Sequence, residues 1–79
     1  MKYYIITVEQ VYNESGQLSE YATKSDGYSE KQATSNFFDK CAAINKDLSP
    51  NGHAFAVIKI MNSIGGVIKE EKIGSYVNQ

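Results

Sequence analysis

The sequence has no arginine and no tryptophan, and only one cysteine, one proline and one histidine among its 79 residues. Each shortage removes a class of explanation. A lone Cys41 excludes an internal disulfide, and without a Cys/His cluster there are no ligands for a structural zinc. Of the usual aids to small domains, only oligomerisation is left. Because all eight basic residues are lysines, the chain lacks the planar fork that contacts guanine edges and phosphates bidentately. A net charge of −1 and a pI near 5.7 supply no long-range attraction to nucleic acid or anionic lipid. No apolar run reaches the length of a signal-peptide core or a membrane span, which predicts a cytoplasmic protein without a membrane partner.

What is present organises itself around one stretch. From Ser29 to Leu48, apolar residues fall at Ala33, Phe37, Cys41, Ile44 and Leu48, steps that stack on one face of a 3.6-residue period. This is the only predicted helix. Ser29 and Gln32 have the spacing of a capping box, and Tyr28 stands where a hydrophobic staple would pack on Ala33. Pro50 and Asn51-Gly52 end the helix near Leu48.

The remainder reads as strands. Tyr3 to Tyr12 is rich in β-branched and aromatic residues, and its alternation assigns Tyr4, Ile6, Val8, Gln10 and Tyr12 to the core face. Asn13-Glu14-Ser15-Gly16 has the chemistry of a type I turn closed by a left-handed glycine. Pairing Asn13 with Gln17 then sets Tyr12 against Leu18 and Val8 against Ala22, in agreement with the apolar pattern. His53 to Met61 is a third strand whose periodicity does not choose a core face. Asn62-Ser63-Ile64-Gly65 repeats the first turn and leads to a fourth strand from about Val67 to Tyr76. Pairing Asn62 with Gly66 places Lys59 against Lys69, an unfavourable contact that a slip of one or two residues removes.

These elements predict a single α+β domain over residues 1–79: a two-layer β-β-α-β-β sandwich, with one helix on one face of a four-stranded antiparallel sheet. The order 2-1-3-4 is favoured, and an order with the fourth strand central is the alternative. One helix covers one face, yet both faces of the long strands carry large apolar residues. The uncovered side is therefore expected to be an interface with a second copy or another protein, with Tyr3, Ile5, Val11, Tyr21, Ile58, Ile60 and Ile68 as its candidate residues. The other possible set for that side combines Tyr3, Ile5, Val11 and Tyr21 with Phe55, Val57 and Met61 in place of the three isoleucines of the later strands.

Signs of chemistry are few. Cys41 sits in the helix stripe and reads as a small core residue. His53 reads as a surface residue or strand cap. Glu70 and Glu71 point to opposite sides of a strand and cannot share one site, and Gly65-Gly66 lies between strands, away from any helix N-terminus. No catalytic, cofactor-binding or metal-binding residue is expected, and no cofactor. The size suits a phage or mobile-element accessory protein acting as a small homodimeric interaction module. The alternative is single-stranded nucleic-acid binding, with Tyr3, Tyr21 or Phe55 stacking on unpaired bases of the open face.

Overall fold

The computed structural model describes residues 1–79, which form β1 (Tyr3–Tyr12), β2 (Leu18–Lys24), α1 (Glu30–Lys46), β3 (His53–Asn62) and β4 (Val67–Gly74). The four strands are antiparallel in the order β2-β1-β3-β4. The helix lies across β1, β3 and β4 and leaves β2 uncovered. No helix is long and apolar enough to cross a membrane.

Local chemistry explains the element ends. Ser29 caps the helix by accepting a hydrogen bond from Gln32 N at 3.2 Å. The reciprocal half of the predicted box is absent, because the Gln32 amide donates to Asn36 Oδ1. Asp47 is the C-cap, so the helix ends at Lys46, two residues short of Leu48. Both hairpins close as their sequences imply: Asn13 N donates to Gln17 O, Asn62 N donates to Gly66 O, and Gly16 and Gly65 take φ of 77° and 89°. The first hairpin has the predicted register, with Tyr12 opposite Leu18 and Val8 opposite Ala22. In the second, a bulge between Ile60 and Met61 shifts the ladder by one residue, so that Lys59 faces Glu70 and not Lys69. The repulsive pair is thereby replaced by an ion pair of 3.3 Å.

The core face of β1 is the reverse of the expected one. Ile5, Thr7 and Glu9 lie under the helix, with Ala56, Ile58, Ile60 and Ile73 from the neighbouring strands and Ala33, Phe37, Cys41 and Ile44 from the helix. The sequence favoured the opposite face because Tyr4, Ile6 and Val8 are more apolar than Thr7 and Glu9. The neighbouring strand decides otherwise: Ile58 and Ile60 back Thr7 and Ile5, and fully buried Ala56 is small enough for the helix to approach. The matching face of β3 carries Lys59 instead. Ile5, Ile58 and Ile60 are 6 %, 0 % and 1 % exposed, which removes them from any interface. Tyr3 packs against the same core, and Val11 and Tyr21 share the helix side of the sheet.

Candidate functional site

Two places in the molecule combine unusual residues. The first lies under the end of the helix, where a charged network is closed around Glu9. At Gln10/Val11 the β1–β3 register shifts, and Val11 pairs with His53. An unshifted ladder would pair Val11 with Ala54 and send His53 to the open side beside Phe55 and Val57. The bulge therefore turns the imidazole towards the helix. There His53 Nε2 lies 2.8 Å from Glu9 Oε1, and Nδ1 lies 2.6 Å from Asp47 Oδ2 at the helix cap. Thr7 donates to Glu9 Oε2 at 2.8 Å, Lys40 Nζ approaches the same oxygen to 3.5 Å, and the Tyr21 hydroxyl donates to Oε1 at 3.4 Å.

Burial pushes the Glu9 carboxyl upward, but hydrogen bonds from His53 and Thr7 and the charges of Lys40 and His53 outweigh it, so the group titrates below its ordinary range. The His53 hydrogen bond likewise lowers Asp47. Burial, with the Glu9 charge and hydrogen bond, raises the Tyr21 hydroxyl. No buried side-chain nitrogen or oxygen lacks a partner. One ring nitrogen of His53 faces each of the two carboxylates. The ring is thus fully committed inside the fold, although it borders an open depression of about 540 Å³ beside Tyr12, Leu48, Pro50 and Gly74. It is a cross-link between helix cap and sheet, with neither nitrogen free as a base or ligand. Cys41 is buried, and burial followed by the charge of Glu71 raises its thiol, the opposite of what activates a nucleophile.

The sign of the acid response follows. Glu9 and Asp47 both have folded-state values below their ordinary 4.5 and 3.8. Their contribution is present above the unfolded values and is lost as pH falls through the folded ones. The urea midpoint is expected to drop as pH falls from about 5 towards 3.

The second place is the side of the sheet without a helix. It carries Tyr4, Ile6, Val8, Gln10 and Tyr12 of β1, facing Met61, Lys59, Val57 and Phe55 of β3 on one flank and Lys24, Ala22, Glu20 and Leu18 of β2 on the other. These residues, not the buried isoleucines, form the available face. Ile6, Val8, Val57 and Met61 border a shallow hollow of about 110 Å³, and Val8 is 37 % exposed. Lys24 lies 4.7 Å above the Tyr4 ring. Ile68, in the bulge of β4, is 45 % exposed at the sheet margin.

At the other end of this face the chain covers itself. Gly74 adopts φ 76°, and the segment after it turns back over the strands. Ser75 N donates to Ala54 O, Tyr76 meets Phe55 edge-to-face at 5.4 Å, and Val77 pairs with the Gln10 side chain. In that pair Gln10 Nε2 donates to Val77 O and Gln10 Oε1 accepts from Val77 N, both at 2.8 Å. Gln10 is 0 % exposed as a result. The sequence alone gave no signal for this strap, because a side-chain amide that reads one residue of backbone leaves no periodic trace. Of the aromatics considered for base stacking, Tyr3 and Tyr21 are on the helix side and Phe55 is covered by Tyr76.

No protein-family model, no curated protein and no solved structure matches this chain.

Proposed function

We propose that the protein is a non-enzymatic interaction module that self-associates through the helix-free face of its sheet. The observation that carries this reading is the group Ile6, Val8, Val57 and Met61, apolar residues of the two central strands that no helix covers and that only Lys59, opposite Ile6, interrupts. Such a surface on a small protein is characteristic of a contact site. Two copies meeting there would form helix, sheet, sheet and helix layers, with the sheets about 10 Å apart as in other face-to-face packings. The absence of chemistry in the reading rests on the commitment of both His53 nitrogens and the burial of Cys41.

Light scattering over a concentration range tests it. The mass of the native chain is expected to rise from that of a monomer towards twice that value. Val8→Glu, which places a charge in the middle of the face, is expected to weaken association at least tenfold, because an unpaired carboxylate would have to be desolvated. A native chain that stays monomeric at every concentration rules the reading out, as does a Val8→Glu variant that associates unchanged.

A further inference from the structure

The strap covers the part of the open face that a second copy needs. The face spans four strands at ~4.8 Å spacing and strands averaging about nine residues at ~3.3 Å each, giving an area in plan of roughly 550 Å². The rows of Tyr4, Ile6 and Val8 are free, whereas the row of Gln10, Phe55 and Glu20 lies beneath the strap. The free rows amount to about 300 Å², well short of the ~800 Å² per partner of a standard stable interface. The whole face, with the relief of its side chains, comes close to that value.

Charge placement says which partner fits. On β2 the open face presents Glu20 and Lys24 on either side of Ala22, opposite Gln10, Ile6 and Val8 respectively. A two-fold axis in the plane between two such faces, running across the strands at the level of Val8 and Ala22, sets Lys24 of each copy over Glu20 of the other. Along β2 the pattern is self-complementary, as an isologous dimer requires, while on β4 the same axis brings Lys72, opposite Val57, to its own copy. In the strapped chain Glu20 is already engaged, since Gln10 Nε2 donates to it at 3.0 Å.

Resting on the self-association reading above, we infer that residues 75–79 and a second copy of this chain compete for the Gln10–Phe55–Glu20 end of the sheet, so that lifting the strap converts weak association into a stable dimer. The strap is held by few contacts: one bond to Ala54, the paired bonds of Val77, and the Tyr76 ring. Gly74 provides the pivot, since a Cβ there would collide with Ala54 O and only glycine accepts the turn without strain. Release exposes Phe55 and Gln10 and frees Glu20 for the partner's lysine.

Sedimentation equilibrium of full-length variants tests the inference. Val77→Pro removes the N–H accepted by Gln10 Oε1, and Gln10→Leu removes the reading amide itself, so two independent changes release the strap and circular dichroism checks that each is folded. Both are expected to tighten self-association at least tenfold over the native chain. Adding Lys24→Glu to Val77→Pro should reverse that gain, and adding Glu20→Lys to that double variant should restore it. If folded release variants associate no more tightly than the native chain while Val8→Glu still weakens it, the strap has no such role and the association reading stands. If the native chain stays monomeric at every concentration, the association reading falls and this inference falls with it.

Discussion

Replacing His53 by alanine is expected to lower the folding free energy by about 2–3 kcal/mol, read as a shift in urea midpoint with little change in slope. The substitution removes two hydrogen bonds at once, to Glu9 at 2.8 Å and to Asp47 at 2.6 Å. It leaves the Glu9 carboxylate, 3 % exposed, without its nearest counter-group. Breaking a buried ion pair from one side typically costs about 3–5 kcal/mol; the lower figure applies because Thr7 still donates to Glu9 and Lys40 stays 3.5 Å away. The variant should also respond less to acid. His53 is what most lowers Glu9 against its burial, so its removal brings the folded and unfolded values together, and the slope of stability against pH between about 5 and 3 flattens. A substitution that changed the midpoint but left the acid limb intact would show that the two carboxylates act independently of the imidazole. Since the chain has no tryptophan, far-UV circular dichroism is the suitable probe.

Phe37→Ala is expected to have a larger effect, about 3–5 kcal/mol. Phe37 is 4 % exposed in the centre of the buried helix stripe, where it belongs to the same cluster as Ile58, Ile60 and Cys41. For a domain of this length, total stability is on the order of 4–12 kcal/mol, so the loss takes a large part of the whole. The expected result is a chain that is mostly unfolded at 37 °C and folded only in the cold or with stabilising salts. Phe38, its neighbour, is 55 % exposed and meets Phe37 edge-to-face at 5.4 Å. Phe38→Ala is therefore a control of the same chemistry, with an expected cost under about 1.5 kcal/mol. Equal losses at the two positions would mean that the helix does not bury the face described for it.

These two sites also mark how far the sequence reaches. The helix stripe, its Ser29 cap, both Asn-x-x-Gly turns and the strand order 2-1-3-4 were legible, because each arises from local spacing or from the need to place one helix over four strands. The register of the first hairpin was legible as well, and that of the second only to within one residue. Lys59 against Lys69 signalled a wrong pairing, but that the correction takes the form of a bulge beside Met61 depends on the twist and fit of two strands together.

The amino-acid order by itself determined which segments are helix and strand, where they turn and in what order they lie, since period, capping and turn geometry act over a few residues. Tertiary structure decided which side of the sheet is inside, and it did so against the alternation of β1. A strand's own pattern is one column of a face, whereas burial is settled by the whole face, and Ala56, Ile58 and Ile60 outweighed Thr7 and Glu9 once His53, Lys40 and Thr7 satisfied the acid. The Glu9–His53 contact spans 44 positions and Gln10–Val77 spans 67. Contacts of that separation leave no period in the chain, and they exist only because a bulge and a glycine turn bring distant residues to one place.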